Sequence, residues 1–273
     1  MSNSSPIGIF DSGLGGLSVW REIARQLPRE DTIYFADQIH IPYGPRSLQE
    51  IRSFSEAITR FLLARRCKLI VVACNAASAA ALKYLRATFP EVPCVGMEPA
   101  VKPAVEATHT GAVGVLATPA TFQGELFASV VERFANGVQL IKQVCPGLVE
   151  QIEAGRLNTP DTLVMLERFL QPIREAHADT IVLGCTHYPF VIEAIRQLAP
   201  GVNVIDPAPA IARQVDRVLG ERRLANTTGL PGRQTFITSG ALDRYQQILR
   251  VLVKIETSVS QARWSVDQRS LLE

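Results

Sequence analysis

Two stretches of sequence share one plan, and together they decide the predicted fold. In each, an apolar run leads to a small residue, a cysteine and a polar residue: Ile70-Val71-Val72-Ala73-Cys74-Asn75 and Ile181-Val182-Leu183-Gly184-Cys185-Thr186. Short runs rich in β-branched residues indicate buried parallel strands. Open α/β sheets bind ligands at the carboxyl ends of such strands. A lone cysteine there is most often a packing residue, whereas two at equivalent strand ends indicate shared chemistry.

The composition is that of an ordinary globular protein. Of 273 residues, 47% are hydrophobic and 20% are charged, with a formal net charge of +2. Without a basic stripe, no nucleic-acid partner is expected. No apolar run approaches the roughly 18 residues of a membrane helix, and the N-terminus lacks the regions of a signal peptide. Five cysteines without paired short spacings indicate a reducing cytoplasm, and no CxxC or HxxxH spacing predicts a metal site.

The chain opens with a strand, a glycine-rich turn, a helix and a second strand, predicted at residues 7–10, 11–16, 17–26 and 32–35. The glycines favour a tight turn whose backbone amides lie at a helix N-terminus, a place suited to an anion. A dinucleotide site is one alternative, because Asp37 follows the second strand at a suitable distance. It is disfavoured because Ser18 replaces the third glycine and Asp11 would place negative charge beside a pyrophosphate.

Alternating strands and helices continue along the chain and predict parallel sheets with right-handed crossovers. Further helices are predicted at 47–66, 78–87, 210–219 and 242–253, and further strands at 94–97 and 234–238. The Ile39–Pro45 segment is predicted to be either a rigid surface turn or a ligand-contacting loop. Met1–Ser5 and Ser258–Glu273 are expected to be weakly ordered ends.

The strand pattern starts again near residue 111. Residues 111–116 repeat the first strand, 138–141 repeat the second, and 204–208 echo 95–100, all at nearly constant offset. This order predicts an α/β protein with two similar lobes of mostly parallel sheet, related by internal duplication, and an active site in the cleft between them. Residues 1–98 and 207–273 are assigned to the first lobe, and residues 99–206 to the second.

Two cysteines facing each other across such a cleft suit the inversion of a stereocentre. One thiolate removes a proton from one face of a carbon atom, a thiol delivers a proton to the other face, and the roles exchange for the enantiomer. A thiolate needs a neighbour that lowers its pKa or takes its proton. Asp11, after the first strand, and His187, two residues beyond Cys185, are candidates for that part.

Four motifs in this order resemble the glutamate racemase family. They are Asp11-Ser12-Gly13-Leu14-Gly15-Gly16, Pro42-Tyr43-Gly44, Ala73-Cys74-Asn75-Ala76-Ala77-Ser78 and Gly184-Cys185-Thr186-His187-Tyr188-Pro189, within a likeness that extends from about Ile7 to Gly240. The resemblance implies a cofactor-independent racemase that interconverts L- and D-glutamate and supplies D-glutamate for peptidoglycan. It also implies a homodimer in the bacterial cytoplasm.

The resemblance also implies roles for individual residues. Cys74 would deprotonate D-glutamate and Cys185 L-glutamate, assisted by Asp11 and His187, which border the substrate, with Glu153 as a further ionisable group. Ser12, Tyr43 and Gly44 would hold the distal carboxylate, and Asn75 and Thr186 the α-carboxylate and ammonium end. Ala76 stands where the family has threonine. Its backbone amide remains, but a hydroxyl donor to the substrate is missing.

Other interpretations stay open at this stage. A cysteine hydrolase would use Cys185 as nucleophile and His187 as base, but it leaves the second cysteine and the duplication unexplained. An amino-acid-binding protein or an aspartate racemase would share the two-lobed plan. Glu153 could be a solvated helix charge. The remaining cysteines (Cys67, Cys94 and Cys145) are expected to pack in the core, and the remaining histidines (His40, His109 and His177) to lie on the surface or in loops.

Overall fold

The computed structural model describes residues 3–272 as an alternation of strands and helices. The strands are β1 Ile7–Asp11, β2 Thr32–Ala36, β3 Leu69–Val72, β4 Cys94–Gly96, β5 Ala112–Ala117, β6 Gln139–Val144, β7 Thr180–Gly184, β8 Asn203–Ile205, β9 Gln234–Thr238, β10 Val259–Gln261, β11 Arg263–Trp264 and β12 Leu271–Leu272. The helices are α1 Leu17–Gln26, α2 Leu48–Ala64, α3 Asn75–Thr88, α4 Val101–Ala107, α5 Pro119–Gln123, α6 Glu125–Phe134, α7 Leu148–Glu153, α8 Pro160–Glu175, α9 Ile192–Leu198, α10 Ala208–Glu221 and α11 Leu242–Val253, with a short 3-10 helix at Tyr188–Val191.

Two sheets repeat the same strand order. The first contains β2-β1-β3-β4 and the second contains β6-β5-β7-β8, and every neighbouring pair in both is parallel. Because the shared order is what a duplication produces, the predicted α/β fold with two similar lobes is confirmed. Strands β9 and β10 extend the first sheet beyond β2, in parallel. The residue boundaries assigned to the lobes stay a prediction.

The central strands are buried on both faces because helices cover each side of each sheet. Strands β1, β3, β5 and β7 are buried along their whole length. Helix α2 shows how the local sequence forms one of these covering helices. Ser47 and Glu50 form a capping box at its start, and its apolar face includes the buried Ile51, Ile58 and Leu62. Each such side chain stabilises the fold by about 1.5–3 kcal/mol when fully buried.

Helix α3 begins earlier than the sequence predicts, at Asn75 rather than near Ser78. Cys74 has an extended backbone and lies at the N-cap position, so the helix starts directly after the cysteine. The first helical turn, with its unpaired backbone amides, therefore lies at the sheet edge where the cysteine is. The local sequence did not show this, because asparagine and alanine are compatible with both loop and helix.

The expectation of a weakly ordered C-terminal end is wrong for residues 259–272. Strand β10 pairs with β9, and the Ala262 amide donates to the Thr238 carbonyl at 2.9 Å. Strands β11 and β12 form an antiparallel pair, and the Trp264 and Leu271 side chains pack against a buried cluster of the first lobe. Met1, Ser2 and Glu273, which belonged to the same expectation about the ends, lie outside the described residues. Within residues 3–272, no helix is both long and apolar enough to cross a membrane.

Candidate active site

The two cysteines that follow β3 and β7 line one small cavity between the lobes, with about 290 Å³ of empty space. Its other lining residues are Ser12, Pro42, Tyr43, Gly44, Asn75, Ala76, Thr118, Val149, Thr186 and His187. Seven of these were predicted as site residues from the sequence. Asp11 and Glu153 do not line the cavity and lie behind its wall, in contact with lining residues.

In the first lobe, a buried carboxyl group stands behind Cys74. Asp11 accepts hydrogen bonds from the Gly16 amide (2.7 Å) and the Ser12 hydroxyl (3.4 Å), and it contacts Cys74. Burial raises the pKa of Asp11 even though His187 pulls it down. Burial and the nearby Asp11 charge also raise the pKa of the Cys74 thiol well above its usual value. Cys74 is therefore held as a thiol in this arrangement.

In the second lobe, an imidazole stands between Cys185 and a carboxylate. His187 Nδ1 lies 3.7 Å from Cys185 Sγ, and His187 Nε2 lies 2.7 Å from Glu153 Oε1. Burial alone lowers the pKa of His187, but its contacts with Cys185 and Glu153 outweigh burial and raise it well above the usual range. A cationic imidazolium next to a cysteine stabilises negative charge on the sulfur. The two cysteines therefore have neighbours of opposite charge character, a carboxyl group beside Cys74 and an imidazole beside Cys185.

The glycine-rich turn before α1 holds two anions, as its sequence predicts, and both are carboxylates of the protein itself. The Gly16 amide donates to Asp11, and the Leu14 amide donates to Glu153 Oε1 at 2.6 Å. A side chain at Gly15 would overlap the His187 ring, since an added Cβ would lie 2.6 Å from its Cε1. The turn therefore brings the second lobe's ionisable pair against the first lobe. Two of its amides are not available to a pyrophosphate.

Asn75 offers unsatisfied polar atoms to the cavity. Its side chain is buried, and neither its amide nitrogen nor its amide oxygen has a hydrogen-bond partner within residues 3–272. Buried polar atoms without partners cost roughly 1–3 kcal/mol each. The residue sits in the first turn of α3, whose free amides favour anions. This corner of the cavity therefore suits a small ligand with carboxylate and ammonium groups.

Tyr43 and Gly44 line the cavity where the two lobes contact each other. The Tyr43 hydroxyl donates to Asp37 at 2.6 Å, so its proton is already engaged. The Gly44 carbonyl accepts from the Ala120 amide of the second lobe at 3.1 Å. An added Cβ at Gly44 would lie 2.8 Å from Thr118 Cβ. Glycine at this position allows the two lobes to approach this closely beside the cavity.

A family model described as Asp/Glu/Hydantoin racemase matches residues 7–215. The chain belongs to this family. A glutamate racemase from Roseiflexus sp. (strain RS-1) is 48% identical over 98% of this chain and 100% of its own length. One from Pseudomonas aeruginosa PAO1 is 50% identical over 91% of this chain and 94% of its own. The crystal structure of a Bacillus anthracis glutamate racemase isoform has a TM-score of 0.88 at 31% identity, covering 98% of this chain and 99% of that one.

Thr118 is a cavity residue that the sequence interpretation of this racemase-family chain missed. It follows β5, as Ser12 follows β1, and its hydroxyl lies 3.1 Å from that of Thr121. The internal duplication could have identified Thr118 from the sequence. The polar turn after the first strand of one lobe predicts a polar turn after the equivalent strand of the other lobe. Val149 on α7 also lines the cavity, but its apolar side chain gave no such signal.

Residues outside the cavity mostly lie as expected. Burial raises the pKa of Cys67 to about 12 and that of Cys94 to about 11, and it raises the pKa of Cys145 as well, so these thiols behave as packing groups. His40 lies in a loop, yet its side chain is buried. Within residues 3–272, no cluster of three or more His, Cys, Asp or Glu side chains is arranged to hold a metal ion.

Proposed function

We propose that this protein interconverts L- and D-glutamate by a two-base mechanism in which Cys74 and Cys185 are the bases. One observation carries the proposal: thiols from opposite lobes line one cavity, each with its own ionisable partner. Racemisation needs a base on one face of Cα and an acid on the other. The glutamate substrate is supported by relatives at about half identity over nearly the whole chain.

The proposed reaction moves one proton on each face of the substrate. For L-glutamate, the Cys185 thiolate takes the Cα proton, and the electron pair left on Cα delocalises into the α-carboxylate. The Cys74 thiol then gives its proton to the opposite face, which leaves D-glutamate, a Cys185 thiol and a Cys74 thiolate. D-glutamate uses the same steps in reverse. Each step transfers a proton between sulfur and carbon, so the mechanism as written requires no cofactor or metal.

The partners of the thiols have distinct tasks in this mechanism. His187, held by Glu153, stabilises the Cys185 thiolate through its positive charge. Asp11, in contact with Cys74, has a raised pKa that brings its proton exchange closer to neutral pH. The arrangement with a Cys74 thiol and a cationic His187 is the one that L-glutamate requires. The D-glutamate direction requires a proton to leave Cys74 first.

The proposed substrate lies with its two ends at the two polar corners of the cavity. Asn75, Thr186 and the Ala76 amide bind the α-carboxylate and ammonium end, in line with the unpartnered Asn75 amide. The distal carboxylate binds at Ser12, Tyr43 and Gly44. Since the Tyr43 hydroxyl already donates to Asp37, Tyr43 contributes its backbone amide and ring rather than a hydroxyl proton. His187, which lines the cavity, borders the substrate directly, and Asp11 borders it from behind Cys74.

The wider role proposed for the enzyme follows from the family resemblance. It supplies D-glutamate for peptidoglycan synthesis in the bacterial cytoplasm and acts as a homodimer. Light scattering on the purified protein tests the last point, and a homodimer has twice the 29.9 kDa mass of the chain. A monomer at the concentrations that support activity contradicts it.

Incubation with single enantiomers in heavy water tests the function directly. With enzyme that has been dialysed against a chelator, and without added pyridoxal phosphate, the optical rotation of each glutamate solution should fall to zero. Both enantiomers should also gain deuterium at Cα. Cys94→Ala is the matched control for substitutions of Cys74 and Cys185, because it removes a buried thiol outside the cavity. Aspartate in a parallel reaction tests specificity. Optical rotation that persists, or activity that returns only with pyridoxal phosphate, contradicts the proposal.

A further inference from the structure

Asp37 is a fully buried carboxylate that four side chains hold by hydrogen bonds. Its Oδ2 accepts from the Tyr43 hydroxyl (2.6 Å) and lies 2.9 Å from His40 Nδ1. Its Oδ1 accepts from the Ser239 hydroxyl (2.9 Å) and from Trp264 Nε1 (2.7 Å). The mechanism above does not use this carboxylate. Burying a carboxyl group is costly unless its oxygens are hydrogen-bonded in this way.

The donor that comes from farthest along the chain is Trp264. Its indole ring packs edge-on against His40, with ring centroids 4.8 Å apart, and against Phe54 at 5.7 Å. His40 in turn stacks on Phe54 at 4.0 Å. The preceding residues are held by β10 and by the hydrogen bond from Ala262 to β9. Trp264 is therefore held both by its ring contacts and by the strand that precedes it, and its N–H points at Asp37.

Asp37 also connects this cluster to the cavity. Tyr43 lines the cavity and is 1% exposed, and its hydroxyl proton goes to Asp37. The Tyr43 ring also packs against Phe54, with centroids 5.7 Å apart. The position of Asp37 thus sets the position of Tyr43. Gly44, next in the chain, shares the resulting backbone geometry at the cavity wall.

We propose that Trp264, in the C-terminal segment, is a positioning residue for the substrate cavity, acting through Asp37 on Tyr43. The inference rests on the proposed function for the nature of the substrate. Trp264 touches no substrate atom in this account. Its N–H donates to Oδ1 of Asp37, and Oδ2 of Asp37 accepts from the Tyr43 hydroxyl. Because Tyr43 is held in this way, the Tyr43–Gly44 backbone faces the distal carboxylate at a fixed distance.

The effect should appear in substrate binding more than in the chemical step. The distal carboxylate lies away from Cα and is bound to a similar extent in the ground state and the transition state. A loss of such uniform binding raises KM and leaves kcat unchanged. Trp264→Phe keeps an aromatic ring against His40 and Phe54 and removes the N–H together with part of the indole. We expect KM to rise about fivefold for both enantiomers with kcat within about twofold of wild type.

Trp20→Phe is the matched control, because Trp20 is the other tryptophan of the chain and its N–H also donates inside the first lobe. Its partners are the Thr32 hydroxyl (3.0 Å) and the Gln234 side chain (3.2 Å), and none of the three residues lines the cavity. Trp20→Phe should lower the unfolding temperature and leave KM at the wild-type value. A purely structural role for Trp264 would give the same pattern as this control.

A double-mutant cycle tests the route through Tyr43. Tyr43→Phe removes the hydroxyl that Asp37 orients, so adding Trp264→Phe to it should raise KM by less than about twofold further. Ser239→Ala removes the other donor to the same Asp37 oxygen and should raise KM like Trp264→Phe. This second variant keeps the test decisive if Trp264→Phe folds poorly.

The outcomes separate the inference from the proposed function. Wild-type racemisation of glutamate in the same assay tests the function, whereas the KM ratios between variants test the inference. Unchanged KM in both folded Trp264→Phe and Ser239→Ala overturns the positioning role. Full additivity in the cycle also overturns it, because Trp264 would then act by a route that bypasses Tyr43.

Discussion

The two thiols that line the cavity have unequal neighbours, although the lobes share one strand order. Cys74 contacts the carboxyl group of Asp11, while Cys185 contacts an imidazole that is itself paired with Glu153. A negative neighbour opposes a thiolate, and a positive neighbour stabilises one. Duplication thus supplied two equivalent strand ends, and the residues around each thiol give it a different electrostatic environment.

The charge of His187 depends on Glu153, and this gives a pH prediction. Glu153 raises the pKa of His187, so Glu153→Gln should lower that pKa and make the imidazolium titrate at lower pH. The alkaline limb of kcat/KM against pH for L-glutamate should move down by about one unit. Glu150→Gln, an exposed change on the same helix, is the control and should leave the limb in place. A shift to higher pH, or an equal shift in both variants, contradicts the assignment.

Ala76 stands where the resemblance to glutamate racemases implies a threonine, and its place in the cavity wall is one where a hydroxyl group would matter. It is buried in the first turn of α3 and lines the cavity. Ala76→Thr should raise kcat/KM by about tenfold or less, because water already replaces part of a hydrogen bond to a charged group. The gain must appear equally for both enantiomers, since the equilibrium constant is one. Steady-state kinetics measures it, and a large loss of activity would mean that the pocket has repacked around alanine.

At the scale of elements, the glycine-rich turn joins the lobes. Its backbone amides hold one carboxylate from each lobe, Asp11 and Glu153. Its sequence predicted an anion site, yet the anions could not be identified from it, because Glu153 lies 139 residues from the Leu14 amide that it accepts from. The turn thereby fixes the position of the His187–Glu153 pair relative to Cys74.

Gly15→Ala should misplace that pair, since the new methyl group would overlap His187. A catalytic group displaced by about 1 Å can cost on the order of a hundredfold in rate, so kcat/KM should fall by about 10- to 100-fold. Gly220→Ala is the control, because nothing lies within 4 Å of the added Cβ in α10. That change should instead raise the free energy of unfolding by about 0.5–1 kcal/mol. Wild-type kinetics in Gly15→Ala would show that the contact is not needed.

At the scale of the whole molecule, local pattern and repetition predicted strands β1 to β9, the two lobes and the place of the thiols. Most site residues also followed, since they come directly after strands whose carboxyl ends share an edge. The features that the sequence did not predict are contacts between residues far apart in the chain. Trp264 meets Asp37 across 227 residues, and its ring packs against the buried His40. No periodicity encodes such pairs, so the C-terminal segment was expected to be weakly ordered, although it forms strands and contacts the first lobe.

The most direct test of the account separates the two thiols with a reaction that needs only one base. Removal of the Cα proton from 3-chloroglutamate expels chloride from Cβ, and the resulting enamine hydrolyses to 2-oxoglutarate and ammonium. Cys74→Ala and Cys185→Ala should each abolish glutamate racemisation. Cys74→Ala should still release 2-oxoglutarate from the L-analogue alone, and Cys185→Ala from the D-analogue alone. Near-normal racemisation by either variant, or elimination by both variants from the same enantiomer, would contradict two cysteine bases on opposite faces of the substrate.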